Sequence, residues 1–254
     1  MSALNRYQKL GATVTAVAFI LLIWQIAAWF LPEFLMPDVP IVFARLWQEL
    51  QQPAFLDGLS GSLGRLGIGY GSALLLGIVF GLVAGVLHFF RAALKSAIII
   101  LQSIPSIAWV PLFLILMGFG NAPIIIVIAI GAFFPTALSV MNATEEVQKV
   151  HVDAARVMGA SRGALLRRVY LPAVTPQLIT GAQLAFGNAW RALISAEMIV
   201  GFGAGLGRSL AYSGEIADMT GVMTNILVIA ILASLIDQVL LEGLKRRVLR
   251  YQYL

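Results

Sequence analysis

The segment HVDAARVMGASRGALLRRVYLP, residues 151–172, places a run of charged side chains between apolar segments that are long enough to cross a bilayer. Good helix formers occupy residues 143–158, and Gly159 predicts the end of that helix. Ser161 predicts the start of a second helix, which Pro172 closes. The sequence therefore predicts a docking knob at one membrane face, made of two short helices joined at a glycine. The apolar stripe expected on its first helix consists of Val147, Val150, Ala154 and Val157.

Three pieces of this segment resemble a loop of the permease subunits of binding-protein-dependent ABC importers. The family pattern is an EAA triplet, a glycine after three more residues and a Leu-Pro pair about eleven residues later, with Asp153 standing here where the family usually has Glu. In that family the loop is the coupling helix, which sits in a groove of the ATPase subunit. The resemblance implies that residues 143–175 dock on an ATPase, and an ordinary amphipathic cytosolic loop is the alternative. The residues assigned to ATPase coupling are Asp153, Ala154, Ala155, Met158, Gly159, Ala160, Leu171 and Pro172.

Composition indicates the class of protein. Hydrophobic residues make up 60% of the chain and charged residues only 11%, against roughly a quarter of charged residues in soluble domains. We therefore expect an integral membrane protein with an all-α fold. The chain has no cysteine, which excludes disulfides and thiolate metal sites. The net charge of +5 follows from membrane topology, so no nucleic-acid partner is expected.

Six apolar segments are each long enough for a hydrocarbon core of about 30 Å. They predict a single transmembrane domain over residues 1–254, and the family resemblance implies a bundle like that of type I ABC importer permeases. The expected spans are residues 10–31, 66–90, 97–117, 123–141, 176–199 and 224–241.

Basic residues collect at one end of these spans. By the positive-inside rule this end, with both chain termini, faces the cytoplasm. The resemblance adds that the membrane is a bacterial inner membrane, which the chain crosses several times. Of the 17 Lys and Arg residues, those assigned to the cytoplasmic face are Arg6, Lys9, Arg91, Lys95, Lys149, Arg156, Arg162, Arg167, Arg168, Lys245, Arg246, Arg247 and Arg250.

The second span carries small residues at a strict four-residue interval. This spacing puts them on one flat stripe, where the backbone of another helix can approach closely. Helix packing is the expected role, although a flat face also permits sliding between two arrangements. The stripe consists of Gly69, Ala73, Gly77, Gly81 and Gly85.

The third span contains QSIPSIAWVP, residues 102–111, in which each proline removes a helical hydrogen bond. The freed carbonyls need protein or water as partners, which favours a helix facing a cavity; a kinked packing helix is the alternative. The IPxxAWxP pattern is also similar to a hallmark of permeases for nitrate, bicarbonate, taurine and other sulfonates, and thiamine precursors. That resemblance implies a small solute that is anionic, organosulfonate-like or thiamine-precursor-like.

In the fifth span Arg191 lies about 22 Å along the helix from Pro176. A buried Arg costs about 3 kcal/mol on insertion scales, so it needs an aqueous lining or an acidic partner on a neighbouring helix. Its planar guanidinium suits a carboxylate or a sulfonate. Glu197 and Asp237 are expected to be structural partners or helix-end groups. The candidate substrate pathway consists of Ser103, Pro105, Ser106, Trp109, Gln183, Trp190 and Arg191.

Missing motifs limit the chemistry of the chain. It has no GxxxxGK[ST] sequence, so ATP and Mg²⁺ are expected on a separate subunit, and no residue is assigned to catalysis or to a metal. An ion-driven secondary transporter is the alternative function, but no internal repeat supports it, and no catalytic constellation supports a membrane enzyme. The family resemblance implies two ABC ATPase subunits, a second permease copy that is identical or a paralogue, an extracytoplasmic solute-binding protein and the lipid bilayer. A short amphipathic helix expected over residues 41–51 is one candidate docking element for that binding protein.

Overall fold

The computed structural model describes residues 3–86, 88–241 and 243, and these residues form helices without any strand. In lipid a helix satisfies its own backbone hydrogen bonds, which explains why an apolar chain adopts this class of fold. The helices are α1 (Ala3–Phe30), α2 (Val39–Glu49), α3 (Pro53–Val86), α4 (His88–Gln102), α5 (Val110–Met117), α6 (Asn121–Glu145), α7 (Lys149–Val157), α8 (Arg162–Leu165), α9 (Leu171–Val200), α10 (Leu206–Glu215) and α11 (Met219–Leu235). A 3₁₀ turn (Ser106–Trp109) precedes α5, and π-helical turns follow α8 (Leu166–Tyr170) and α11 (Ile236–Leu241).

Helices α3 and α6 pack along the small-residue stripe of α3. A Cβ added to Gly81 would stand only 2.7 Å from the Cβ of Val140, and one added to Gly69 would stand 2.8 Å from the Cβ of Ile128. Because these positions carry only hydrogen, the two backbones approach more closely than larger side chains would allow. On α6 the residues that meet the four glycines recur at multiples of four: Ile128, Thr136, Val140 and Thr144.

Helix α9 packs against both α3 and α6. The Tyr70 hydroxyl on α3 donates a hydrogen bond to the Ala182 carbonyl at 2.8 Å, and its ring meets Phe186 edge to face with centroids 5.8 Å apart. Gly131 on α6 lies so close to α9 that an added Cβ would stand 3.2 Å from the Cβ of Ala192. These contacts bury most of the surface of α9, and the three helices α3, α6 and α9 form the centre of the bundle.

The third predicted span, residues 97–117, is not one helix. Its two halves, Arg91–Gln102 and Ser106–Met117, meet at an angle of 88° across a short break. Pro105 lies in the break and has no N–H to continue the helical ladder, so the ladder ends there instead of bending. The prolines were expected to interrupt the hydrogen bonds of this helix, and they produce a corner between two helices in place of a kink.

Four described helices are long and apolar enough to cross a membrane: Gly11–Phe30, Pro53–Gly85, Asn121–Glu145 and Met219–Gln238. The bent pair counts as a fifth span if both halves are taken together. Helix α9 contains the predicted span 176–199, and its 30 residues extend about 45 Å. Its sequence is not apolar enough for it to be counted with these helices. The count of six spans therefore stays a prediction. Of the residues used to orient the chain, Lys245, Arg246, Arg247 and Arg250 lie outside the part that the structure describes.

The connection between α1 and α3 contains the expected short amphipathic helix, which forms α2. Gln25 on α1 donates to the Asp38 carboxylate at 2.6 Å and accepts from the Val39 N–H at 3.1 Å, which fixes α2 against α1. Arg45 donates to Glu49 at 2.9 Å, and this hydrogen bond raises the pKa of Arg45. Helix α3 begins at Pro53, ahead of the second predicted span, and the span over residues 66–90 stays a prediction.

A buried ion pair joins α3 to the end of α9. Arg65 Nη1 donates to Glu197 Oε1 at 2.5 Å, and the two side chains are only 9% and 1% exposed. Ser62 Oγ donates to the same carboxylate at 2.8 Å, and the Gly207 N–H at the start of α10 donates to it at 2.9 Å. Arg65 Nε donates to Asn121 Oδ1 at 2.7 Å, so the start of α6 belongs to the same hydrogen-bond network. Glu197 is thus a structural partner, as expected. Its carboxylate connects α9 directly with α3 and with the N-terminus of α10, and through Arg65 with the start of α6.

We predict that Gly81→Leu lowers the thermal unfolding temperature of the purified protein, because a side chain there collides with Val140 and the carbonyl of Ala137. Gly71→Leu is the matched control, since the same residue type on the same helix has no atom within 4 Å of an added Cβ. Unfolding followed by intrinsic tryptophan fluorescence measures both. Equal unfolding temperatures for the two variants would contradict close packing of α3 on α6.

We also predict that Glu197→Ala is destabilising by about 3–5 kcal/mol, because it leaves the Arg65 guanidinium buried without its counter-ion. The double variant Arg65→Met with Glu197→Leu removes both charges and is expected to recover much of that loss. Thermal unfolding and the yield of folded protein in detergent report the difference. A double variant that is as unstable as the two single changes combined would show that the pair does not act as a unit.

Candidate functional site

A half-open cavity of about 340 Å³ lies beside the corner between α4 and α5. Its lining comes from the end of α4, the 3₁₀ turn, the middle of α6 and the C-terminal half of α9. The break at Pro105 forms part of the cavity wall, since Gln102, Pro105 and Ser106 all line it. The polar residues that line it are Gln102, Ser106, Asn188, Arg191 and Ser195.

Helix α9 has one open face, although most of the helix is buried. The well exposed residues are three, four or seven positions apart, which places them on one side of the helix. The cavity lies at this side, since Asn188, Arg191 and Ser195 line it and share the same spacing. The open face is marked by Thr180, Leu184, Arg191 and Met198.

Arg191 is the one cationic residue among those that line the cavity. Its Nη2 donates to Asn188 Oδ1 at 2.6 Å, one turn earlier on α9. Within the described residues no carboxylate forms an ion pair with Arg191, so the acidic partner considered as an alternative is not found there. Asn188 holds the guanidinium in place and leaves its charge uncompensated. A group of this kind can receive an anion through several N–H donors.

The cavity brings together three of the predicted pathway residues, Pro105, Ser106 and Arg191. Ser103 lies beside them in the break but does not line the cavity, and its hydroxyl donates to the Ile100 carbonyl at 2.6 Å. Two distant stretches of sequence, the corner after α4 and the C-terminal half of α9, therefore meet at one place.

The other three predicted pathway residues lie elsewhere. Trp190 is 6% exposed and packs in the hydrophobic core beside Phe186, because it projects about 100° around the helix from its neighbour Arg191. Trp109 also packs against that core. Gln183 is half-buried on α9 and is absent from the described lining of the cavity. The lining residues missed by sequence reasoning include Asn188 and Ser195, and their spacing of three and four from Arg191 was the signal that could have found them.

The second site is the docking knob, residues 143–175. Helix α7 rests on α8 through Val152, Ala155 and Leu165, which form a small apolar core of their own. Three residues of the predicted stripe lie on the exposed side of α7, where Val150 and Val157 are 67% and 88% exposed and Ala154 is exposed as well. A break at Glu146–Gln148 separates α7 from α6. Of the predicted coupling residues, those exposed on the knob are Asp153, Ala154, Met158, Gly159, Leu171 and Pro172, with Ala160 half-buried and Ala155 buried.

Gly159 makes the turn between the two knob helices. Its φ of 80° lies in the left-handed region, and its N–H donates to the Arg156 carbonyl at 2.9 Å. The Ser161 hydroxyl then accepts from the Ala164 N–H at 3.3 Å, which caps α8 as expected. No atom lies within 4 Å of a Cβ added to Gly159, so the glycine is required by backbone conformation and not by lack of space.

Pro172 does not close the second knob helix, contrary to the prediction. It occupies the first turn of α9, where a missing N–H costs little. Helix α8 passes through the π-helical turn directly into α9, and every residue from Arg162 to Val200 is helical. The knob and the wall of the cavity that carries Arg191 are therefore parts of one continuous helical path.

Comparisons with known proteins agree with this architecture. The family described as "Binding-protein-dependent transport system inner membrane component" matches residues 77–250. The taurine transport system permease protein TauC of Escherichia coli (strain K12) is 30% identical over 247 residues, covering 94% of this chain and 89% of that protein. The putative aliphatic sulfonates transport permease protein SsuC of Bacillus subtilis (strain 168) is 28% identical, with 92% and 85% covered. The nitrate import permease protein NrtB of Synechocystis sp. is 26% identical, with 91% and 86% covered.

A solved structure shows the same fold. A chain from an inward-facing conformation of the MetNI methionine ABC transporter superposes with a TM-score of 0.64 at 22% identity. The match covers 77% of this chain and 96% of that one.

Proposed function

Because this chain belongs to the family of binding-protein-dependent transport system inner membrane components, we propose that it is the permease subunit of an ATP-driven ABC importer. It forms the membrane pathway for a small anionic solute, and the docking knob couples that pathway to a separate ATPase subunit. The observation that carries the proposal is the continuous helical path from Arg162 to Val200, which joins the knob to the cavity.

The surface of the knob suits a protein partner. Val150, Val157 and Met158 are 67%, 88% and 82% exposed, although they belong to a polar segment that is expected to lie outside the membrane. Apolar side chains grouped at such a place favour burial against another protein. Charges beside them, including the exposed pair of Asp153 and Arg156 at 3.6 Å, supply a polar rim. The partner is the ATPase, which binds ATP and Mg²⁺.

The helical path explains how a movement of the knob reaches the solute. A helix resists compression along its axis because each turn is hydrogen-bonded to the next. A displacement of α8 by the ATPase is therefore passed through the π-helical turn to α9, where Asn188, Arg191 and Ser195 line the cavity. The solute pathway opens to one side or the other according to the position of this helix.

The charge of the cavity favours an anionic solute. Arg191 is exposed toward it and is held by an amide instead of a carboxylate. The relatives named above are described as permeases for taurine, aliphatic sulfonates and nitrate, all of which carry an anionic group. The residues and the relatives thus favour the same class of solute.

The complete importer contains more than this chain. One chain has one knob and can engage one ATPase, so the working unit is two permease copies with two ATPase subunits, and we propose that the copies are identical. An extracytoplasmic binding protein delivers the solute to the outer end, near α2 and α10. We propose that the knob and both termini lie in the cytoplasm and that the chain crosses a bacterial inner membrane six times. The basic residues around the knob support this orientation.

We predict that Gly159→Val uncouples transport from ATP hydrolysis. A branched residue resists a φ of 80°, so the turn between α7 and α8 changes and the knob loses its docking geometry. Gly159→Asn is the matched control, because Asn tolerates the left-handed region. ATP-driven uptake into cells or proteoliposomes, divided by the ATPase rate, should fall at least about ten-fold in the Val variant and stay near wild type in the Asn variant.

Normal assembly and wild-type uptake by Gly159→Val would refute the role of the knob. Copurification with the ATPase subunit measures assembly and separates a docking defect from a failure to fold.

We predict that uptake falls in the order wild type, Arg191→Lys, Arg191→Met. Lys keeps the charge but loses the planar donor fork, whereas Met keeps similar length and loses both. The complex should remain assembled in both variants, and its ATPase should still respond to nucleotide, because Arg191 supports no buried ion pair among the described residues. Equal uptake by all three forms at equal expression would remove Arg191 from the mechanism.

A further inference from the structure

The two walls of the cavity differ in chemistry. All three lining residues of α9, namely Asn188, Arg191 and Ser195, are polar, and one of them is cationic. The lining residues of α6 are Ile130, Gly131, Phe134 and Pro135, none of which has a polar side chain. A solute in this space therefore meets hydrogen-bond donors and a positive charge on one helix and an apolar surface on the other.

We infer that the cavity accepts a monoanion with an uncharged, apolar body, such as a short alkanesulfonate, in preference to a zwitterion or a small inorganic oxyanion. This inference rests on the proposed function, because it assumes that the cavity belongs to the solute pathway. The anionic head is bound by Arg191, which Asn188 positions at 2.6 Å, and the body lies against α6.

The absence of acid from the described lining argues against a zwitterion. No Asp or Glu is among the residues that line the cavity, so an ammonium group would find only neutral acceptors there. Neutral acceptors compensate poorly for removing an ammonium ion from water. A zwitterion would therefore enter at a disadvantage relative to an anion of the same size with a methyl group in place of the ammonium.

The apolar wall and the size of the cavity argue against a small inorganic oxyanion. A cavity of about 340 Å³ lies at the lower end of the range for organic ligands, which begins near about 300 Å³. Nitrate would contact Arg191 but would leave Ile130 and Phe134 in contact with water. An alkyl chain of a few carbons covers this surface and gains the free energy of its own burial.

Propane-1-sulfonate and taurine form a matched pair of probes, because they have the same sulfonate and nearly the same size but differ by a methyl in place of an ammonium. Their affinities for the purified complex of this permease with its ATPase, without a binding protein, can be measured by titration calorimetry. We expect propane-1-sulfonate to bind at least about ten-fold more tightly than taurine, and nitrate not to compete at equal concentration. Arg191→Met should abolish binding of propane-1-sulfonate.

Gln102 provides a second test of the same cavity. Gln102→Glu adds a carboxylate to the lining without changing its shape, so the preference for propane-1-sulfonate over taurine should shrink several-fold. Gln102→Met is the neutral control and should preserve the preference. An unchanged preference in the Glu variant would show that the probes bind elsewhere and would overturn the inference.

Equal affinities for propane-1-sulfonate and taurine, or full competition by nitrate, would also overturn the inferred solute class. If no probe binds to the wild-type complex, the inference fails as well. The proposed function is then judged separately, because ATP-driven uptake by the Gly159 variants does not depend on these probes.

Discussion

The close approach of α3 to α6 is the contact on which the rest of the bundle depends. Glycines along α3 let the backbones meet, so that Gly81 faces Val140 with no room for a methyl group. In lipid there is little hydrophobic drive between helices, and close van der Waals packing of this kind takes its place. Helix α9 then packs against the pair, and Arg65 on α3 reaches Glu197 on α9 only because the two helices are held together.

Two arginines in this bundle differ in how their charge is compensated. Glu197 compensates the charge of Arg65, and the ion pair holds α3, α9 and the start of α10 together. Arg191 has an amide as partner and faces a cavity, so its charge remains available. A guanidinium inside an apolar chain is expensive in either case. The difference in compensation separates a structural arginine from one whose charge is left open to the cavity.

Sequence alone predicted the elements that depend on local chemistry. The turn at Gly159, the cap at Ser161 and the small-residue stripe of α3 each follow from a residue type at a given position, and the structure has them. The family resemblance also predicted membership correctly. A break at Pro105 was visible as well, but its angle of 88° depends on what packs against both halves, which no single segment contains.

The features that escaped prediction depend on rotation about a helix axis. Trp190 was placed in the pathway because it adjoins Arg191, yet one residue turns a side chain by about 100°, and Trp190 faces the core. This error could not be corrected without knowing where the neighbouring helices stand.

The π-helical turn Leu166–Tyr170 determines the direction in which the side chains of α9 point around the helix axis. A π-helical turn contains more residues than an α-helical turn, so it resets the angle at which the following helix continues. Every side chain of α9 inherits that angle, including Arg191 more than twenty residues farther along. Loss of one residue within this turn would leave the helix intact but rotate its open face by about 100°, away from the corner at Pro105. The length of this short segment thus determines which face of a distant helix meets the cavity.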